Sequence, residues 1–193
     1  MKKVMTIFGT RPEAIKMAPL IKTLEKDSDL EPVVVVTAQH REMLDSVLNT
    51  FNISADYDLN IMKAGQTLSE VTSEAMKKLE DIIQKEVPDM VLVHGDTVTT
   101  FSGALAAFYS QTPIGHVEAG LRSYNKYSPY PEEINRQMVG VMADLHFAPT
   151  YNAAQNLVKE GKLAKNIAIT GNTAIDAMNY TCLLYTSNAA DER

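Results

Sequence analysis

Short apolar runs alternate along the chain with longer segments in which apolar residues recur every three or four positions. The runs predict strands at Lys3–Phe8, Pro32–Thr37, Met90–Val93, Ile114–Val117, Leu145–Phe147 and Ile167–Thr170. Continuous apolar runs are typical of strands buried on both faces, and the intervening segments have the period of helices that cover such a sheet. The pattern therefore predicts an α/β fold built on a doubly wound parallel sheet.

Several residues mark where the predicted helices begin and end. Pro12 stands in the first turn of the first helix, where the missing proline N–H costs nothing. Thr67 or Ser69 could cap a long helix that Pro88 ends. Residues 122–130 predict a loop longer than the usual connection of about 4–6 residues, and such loops are often functional.

The C-terminal residues do not continue this pattern. A helix is predicted to begin near Ala174, but from Thr181 onward the sequence has neither a helical period nor strand alternation. We therefore expect one domain over residues 1–180, followed by a non-native or disordered tail over residues 181–193.

Composition and charge narrow the class of protein. The 193 residues are 45% hydrophobic and 22% charged, with a formal net charge of −6, and no basic run suggests a nucleic-acid partner. The apolar runs are too short to span a membrane, and the N-terminus lacks the features of a signal peptide. We therefore expect a cytoplasmic protein with no nucleic-acid or membrane partner.

Polar side chains follow almost every predicted strand. Ligands bind outside the carboxyl ends of the strands in open parallel sheets, so these residues are candidates for a site. They are Thr10, Arg11, Gln39, His40, Asp96, Glu118, Asn172 and Thr173. With Glu132, three carboxylates and a guanidinium would meet on one rim, which predicts carboxylate chemistry on an anionic ligand held by Arg11 and backbone N–H groups.

The candidate acids also have purely structural explanations. Asp96 could cap the helix that follows it, since aspartate is a favoured N-cap residue. Glu118 ends a buried strand and must be paired or hydrated, and Arg122 could be its structural partner. Glu132 or Glu133 could simply offset the helix dipole in a first turn.

Missing motifs exclude several cofactors. The first turn, Gly9–Ala14, has one glycine where a dinucleotide fingerprint needs three, so a nicotinamide cofactor is not expected. The sequence contains no P-loop, Cys-x-x-Cys, His-Glu-x-x-His or Gly-x-Ser-x-Gly motif. His94 and His116 lie in or beside strands and fit a core position better than a ligand position. We expect no cofactor and no metal.

Five motifs in order along the chain resemble those of the bacterial non-hydrolysing UDP-N-acetylglucosamine 2-epimerases. They are Phe8–Lys16, His94–Thr97, His116–Arg122, Tyr127–Arg136 and Gly171–Thr173. The resemblance, which runs to about residue 180, implies the N-terminal, Rossmann-like half of a GT-B fold. It also implies interconversion of UDP-N-acetylglucosamine and UDP-N-acetylmannosamine for surface polysaccharides, by UDP elimination and re-addition with inversion at C2.

The resemblance also implies roles for individual residues. The implied catalytic carboxylates are Asp96, Glu118 and Glu132. The implied substrate-binding residues are Arg11, Lys16, Arg136, Asn172 and Thr173. The implied binding site for an activator, which can be the substrate itself, comprises Gln39, His40, Glu42 and Gln66. The resemblance further implies a homodimer for the full-length protein.

Other functions stay open at this stage. The family's chains are nearly twice as long, so we expect this chain alone to have negligible epimerase activity. It could instead be a sugar-nucleotide-binding module without turnover, or a fragment of a hydrolysing 2-epimerase. A GT-B glycosyltransferase fragment would not need three carboxylates in these motifs.

Overall fold

The computed structural model describes residues 1–37, 41–63 and 65–191 and contains seven strands. The strands are β1 Lys2–Phe8, β2 Leu30–Val36, β3 Tyr57–Asp58, β4 Met90–His94, β5 Ile114–Val117, β6 Leu145–Ala148 and β7 Ile167–Ile169. The α-helices are α1 Arg11–Leu24, α2 Arg41–Thr50, α3 Leu68–Glu86, α4 Val98–Tyr109, α5 Glu132–Met142, α6 Tyr151–Lys159 and α7 Thr173–Asp191, and a 3₁₀ turn spans Ala164–Asn166.

All seven strands pair in parallel, in the order β3-β2-β1-β4-β5-β6-β7. The order reverses direction between β1 and β4, which are neighbours although two helix–strand units separate them in sequence. This is the topological switch point of a Rossmann-like sheet, where the turns after both strands lie side by side. The predicted fold class is confirmed.

Two apolar layers hold the helices against the sheet. Along β1, Val4 and Phe8 pack into one layer together with α1 and α2. Met5 and Ile7 point to the other layer, which contains buried residues of α3 and α4. This alternation follows from the two-residue period of a strand, and burial on both faces explains why the run is apolar throughout.

Three details differ from the sequence-based expectations. The two-residue strand β3 lies in a segment that has no strand pattern, and α7 continues to Asp191, past the point where its apolar period ends. The N-cap of α4 is Thr97, whose side chain accepts from Thr100 N, so Asp96 is not the cap. The domain boundary at residue 180 stays a prediction. In the part of the chain that the structure describes, no helix has the length and apolar content needed to cross a membrane.

Candidate active site

The ends of β4 and β5 bring the predicted carboxylates together with two cations. Asp96 follows β4, Glu118 follows β5, and the two carboxylates lie close enough to influence each other's ionisation, together with Glu132 from the first turn of α5. Lys16 from α1 and Arg136 from α5 provide the positive charges. The rim predicted from the strand ends therefore exists, and it holds both signs of charge.

Glu118 forms an ion pair with Lys16, a residue of α1. Lys16 Nζ donates a hydrogen bond to Glu118 Oε2, and the two side chains are 23% and 18% exposed. The backbone of Glu118 has a φ of 62°, which is unusual for a residue with a side chain and is found most often at functional sites. The structure thus keeps Glu118 at the rim at some conformational cost.

His94 is a site residue that the sequence interpretation missed. It is 3% exposed, as expected for a core residue, but its Nε2 lies 3.3 Å from Glu118 Oε2. Burial raises the pKa of Glu118, but His94 and Lys16 together outweigh burial and hold that pKa at about 2. Glu118 is therefore ionised at neutral pH. The motif His-Gly-Asp carried the signal, because its histidine ends the same strand that presents Asp96.

Asp96 has the opposite electrostatic environment. Arg136 Nη1 lies 3.2 Å from Asp96 Oδ2, and Asn135 Nδ2 donates to the Asp96 carbonyl at 3.0 Å. Burial nevertheless raises the pKa of Asp96, and it is the largest effect. Arg136 lowers this pKa and the charges of Glu118 and Glu132 raise it, and the net result is a raised pKa. Two neighbouring carboxylates whose pKa values move apart are the pattern expected of an acid–base pair.

Glu133 is a structural residue, although it lies beside a candidate catalytic acid. It is fully buried and accepts hydrogen bonds from Ser123 N at 3.0 Å, Tyr124 N at 2.9 Å and Gln137 Nε2 at 2.7 Å. It also accepts from the Arg136 guanidinium. Glu133 therefore fixes the start of the long loop 122–130 to α5, and the structural explanation holds for one of the two first-turn acids.

Arg122 is not the partner of Glu118. Its Nε and Nη2 atoms bind Glu160 Oε1 and Oε2 at 2.7 and 2.8 Å, and its side chain is fully buried. This bidentate pair joins the turn after β5 to the end of α6. The partner of Glu118 is Lys16, which the resemblance had assigned to substrate binding.

Arg11 and Glu42 line a groove that contains none of the rim carboxylates among its described lining residues. The groove has a volume of about 560 Å³ and lies between α1, α2 and α7, with Ile15, Phe51 and Met178 among its apolar lining residues. Arg11 is exposed at the first position of α1. The groove thus offers one cationic and one anionic group above an apolar floor.

The remaining predicted binding residues are more scattered. Asn172 and Thr173 are at the start of α7, where Asn172 Oδ1 accepts from Ala174 N at 3.0 Å and so supports the helix end. Gln66 binds Lys63 N and Glu74 and is not among the described residues that line the groove. Gln39 and His40 lie outside the described residues. Arg136 is 9% exposed and is engaged with Asp96 and Glu133.

Across residues 1–37, 41–63 and 65–191, no group of three or more His, Cys, Asp or Glu side chains is arranged to hold a metal ion. The site as described is built from carboxylates, two paired cations and a buried imidazole.

Comparison with known proteins explains this arrangement. The family profile described as UDP-N-acetylglucosamine 2-epimerase matches residues 22–193. The chain belongs to the UDP-N-acetylglucosamine 2-epimerase family. A Bacillus subtilis epimerase of this family is 64% identical over 93% of the chain, and the chain spans 47% of that relative. The chain therefore spans about half the length of the curated relatives that it matches.

Solved structures of the epimerase family have the same fold. The S. aureus MnaA–UDP co-structure is 73% identical, with a TM-score of 0.91 over 93% of this chain and 48% of that one. The Neisseria meningitidis epimerase bound to UDP-GlcNAc is 52% identical, with a TM-score of 0.94 over 98% of this chain and 52% of that one. A lipopolysaccharide galactosyltransferase, at 14% identity and a TM-score of 0.64, shares the Rossmann-like GT-B fold alone.

Proposed function

We propose that this chain is the N-terminal, acid–base half of a non-hydrolysing epimerase that interconverts UDP-N-acetylglucosamine and UDP-N-acetylmannosamine for surface polysaccharide synthesis. The observation that carries the proposal is the meeting of Asp96 and Glu118 with Lys16 and Arg136 at one rim, in a chain that belongs to the epimerase family. The chain spans about half of its relatives, so we expect negligible turnover from it alone.

The proposed reaction has two halves. In the first, a base takes the proton from C2 while the C1–O bond to UDP breaks and its electron pair leaves with the diphosphate. The product is a 2-acetamidoglucal with a C1=C2 double bond. In the second, UDP adds back at C1 and a proton reaches C2 from the other face. The C2 proton is barely acidic, so a positioned base and nearby cations are both required.

The environments of the two carboxylates support different roles. We propose that Asp96 exchanges the C2 proton, because its raised pKa suits a group that both gains and loses a proton. A Glu118 carboxyl with a pKa of about 2 is a poor base, and we propose that it holds Lys16 and His94 in place. Glu132, at the first position of α5, is the candidate for the opposite face.

Arg11, Lys16 and Arg136 are the groups that we propose to stabilise the departing diphosphate, with Asn172 and Thr173 as further substrate contacts. We also propose that the groove beside Arg11 and Glu42, with Gln39, His40 and Gln66, takes part in binding a second substrate molecule as activator. The mixed charge of the groove supports this assignment.

We propose a cytoplasmic homodimer for the full-length protein. The support is a set of exposed apolar side chains on α4 and α5, namely Phe108, Tyr109, Met138 and Val141. Their exposed fractions run from 37% to 74%, and exposed apolar patches on soluble domains often mark contacts with another protein. Light scattering on the full-length protein would test this, with a single protomer mass as the contradicting result.

The test of function uses the chain joined to the part of the B. subtilis relative that the chain does not cover. The fusion is incubated with UDP-N-acetylglucosamine in D₂O, and the anomeric protons are followed by NMR. We expect UDP-N-acetylmannosamine with deuterium at C2. Free N-acetylmannosamine with UDP would indicate a hydrolysing enzyme, and binding without a new sugar would indicate a binding module. Either result would contradict the proposal.

Matched variants of the fusion test the residues. We expect Asp96→Asn and Glu132→Gln to lower kcat by at least about 100-fold each, as loss of a general acid or base does. We expect Glu118→Gln to lower kcat as well, because Lys16 and His94 lose the carboxylate that holds them. Glu80→Gln removes an acid on α3 that accepts a hydrogen bond from Gln84, and it should leave kcat unchanged. If the three rim variants retained the rate of the Glu80 control, the catalytic assignment would be wrong.

A further inference from the structure

A fourth carboxylate, Glu13, is buried at the switch point between β1 and β4. It is 3% exposed, and its Oε2 accepts from Gly9 N at 3.0 Å and from Thr10 N at 2.7 Å. Its Oε1 accepts from Thr97 Oγ1 at 2.7 Å, and Thr100 Oγ1 lies 3.1 Å from the same oxygen. One carboxylate thus binds the turn after β1 with one oxygen and the turn after β4 with the other.

Helix capping alone does not account for these contacts. Glu70 occupies the equivalent place in α3, where it forms the same capping box with Thr67. Glu70 is exposed, and within the described part of the chain its carboxylate accepts hydrogen bonds from Thr67 alone. A capping box therefore needs neither burial nor contacts from a second strand. Glu13 has both.

The position of Glu13 is where an open α/β sheet usually receives a ligand phosphate. Helix N-termini and backbone N–H groups at the switch point attract anions. Here the space is closed: a Cβ on Gly9 would lie 2.0 Å from Thr37 Oγ1 and 2.7 Å from Thr99 Oγ1. The chain's own carboxylate takes the donors that an external anion would use.

We propose that Glu13 is an internal anion that closes the switch point and positions both the start of α1, the helix that bears Lys16, and the turn that bears Asp96. Lys16 lies one helical turn after Glu13 on α1, so fixing the start of α1 fixes where its ammonium meets Glu118. Asp96 immediately precedes Thr97, whose hydroxyl Glu13 holds. The inference rests on the proposed function in one respect, namely that Lys16 and Asp96 belong to the active site.

The first experiment removes the Glu13 carboxylate by mutation and supplies formate, a small carboxylate, in solution. Glu13→Ala leaves a carboxylate-sized space lined by unused donors, so sodium formate should raise its Tm relative to sodium chloride at equal ionic strength. We expect a gain of about 3–6 °C once formate exceeds its dissociation constant about tenfold. Glu70→Ala and the unchanged chain should show no difference between the two salts. Equal Tm values for Glu13→Ala in both salts would contradict an internal anion.

The second experiment separates positioning from simple stabilisation. Glu118 faces Lys16 on one side and His94 on the other, with Asp96 nearby. In Glu13→Gln, a displaced Lys16 would let the pKa of Glu118 rise from about 2 toward its ordinary value, which carboxyl ¹³C NMR measures directly. A residue that only stabilises the fold would lower Tm and leave that pKa where it is. An unmoved Glu118 pKa would therefore overturn the positioning role.

The controls keep both experiments decisive. Glu70→Gln changes the matched capping box and should move neither pKa nor formate response. If Glu13→Ala does not fold in either salt, Glu13→Gln carries the test alone. It keeps one acceptor oxygen for the backbone donors, but its amide nitrogen cannot accept from the Thr97 and Thr100 hydroxyls, so it still breaks the link between the two turns. Neither readout uses turnover, so an inactive fusion would contradict the proposed function and leave the role of Glu13 unaffected. An active fusion in which Glu13→Gln does not change the pKa of Glu118 would support the proposed function and contradict the role of Glu13.

Discussion

Glu133 and the Asp96–Glu118 pair lie within one small region, yet the protein uses their charges in opposite ways. Glu133 has no exposed surface, and both of its carboxylate oxygens accept hydrogen bonds from backbone, amide or guanidinium donors. Asp96 and Glu118 keep 28% and 18% of their side-chain surface, and part of their hydrogen-bonding capacity faces the rim. The first carboxylate stabilises the fold, while the other two are left available for a ligand.

Arg136 connects the two environments. Its Nη2 binds Glu133 while its Nη1 lies 3.2 Å from Asp96 Oδ2. A single buried guanidinium thus completes a structural ion pair and also sets the charge beside a candidate proton carrier. Burial with complete hydrogen bonding, rather than distance from the site, therefore distinguishes the structural acid from the functional acids. Four variants test this distinction.

The largest effect should come from Glu133→Ala. The change leaves Arg136 partly uncompensated in a buried position and frees the loop 122–130, so unfolding in urea should show a loss of about 3–5 kcal/mol. Glu132→Ala, one residue away but less buried, should cost about 1 kcal/mol or less. Equal losses of unfolding free energy in Glu133→Ala and Glu132→Ala would contradict the distinction between a structural and a functional acid.

The pH dependence of stability should also depend on Glu133. Burial raises its pKa, but its donors outweigh burial and hold that pKa at about 2, below the ordinary 4.5. The folded state therefore releases this proton more readily, and the stability gained is present above pH 4.5 and lost as the pH falls toward 2. The loss should be about 3 kcal/mol. Glu133→Gln should show a correspondingly flatter profile in urea unfolding between pH 2 and 5, and an unchanged profile would refute this.

Lys16→Met should have a moderate effect on stability and a clear effect on ionisation. The pair with Glu118 is partly exposed, so we expect a loss of about 1 kcal/mol. The pKa of Glu118 should rise from about 2 because the hydrogen bond and the positive charge of Lys16 are gone. Carboxyl NMR measures this rise, and Lys22→Met, which removes a lysine paired with Glu25, is the matched control. A Glu118 pKa that responded equally to both variants would show that Lys16 has no specific role.

Asp96→Asn should have the smallest effect on stability, and in the favourable direction. An acid whose pKa is raised by folding binds its proton more tightly when folded, so stability falls as the pH rises from 3.8 toward the folded pKa. Asparagine removes that cost, and we expect the variant to match or exceed the unchanged chain at pH 7, within about 1 kcal/mol. Urea unfolding at pH 4 and pH 7 tests this, and a clear loss at pH 7 would place Asp96 among the structural acids.

Much of the fold follows from local sequence patterns. The strands at the centre of the sheet are continuous apolar runs because both of their faces are covered by helices, so β1, β2 and β4 could be predicted. Tyr57–Asp58 could not, because a two-residue edge strand depends on its pairing with Val35 and Val36 and has no period of its own.

The site was predictable only in part. The rim position of Asp96 and Glu118 follows from parallel topology, since each residue comes directly after a strand. Glu118 pairs with Lys16, which is 102 positions away in the sequence. Arg122 is much nearer in the sequence, but it pairs with Glu160 at the end of α6. No local signal distinguishes these two cations. The family motifs contained His94 and Lys16, but not the information that both face one carboxylate.

The left-handed backbone at Glu118 has a consequence for anyone who engineers this fold. Its φ of 62° costs about 1 kcal/mol or more for a residue with a side chain, and glycine would relieve it. Glycine at 118 would also remove the pair with Lys16, worth about 1 kcal/mol, so the two effects offset each other. A library selected for thermal stability alone would therefore tolerate glycine at 118, just as it would tolerate asparagine at 96. Such a selection would not remove variants that lack these carboxylates, so a screen on this fold has to measure turnover of the fusion as well as the melting temperature.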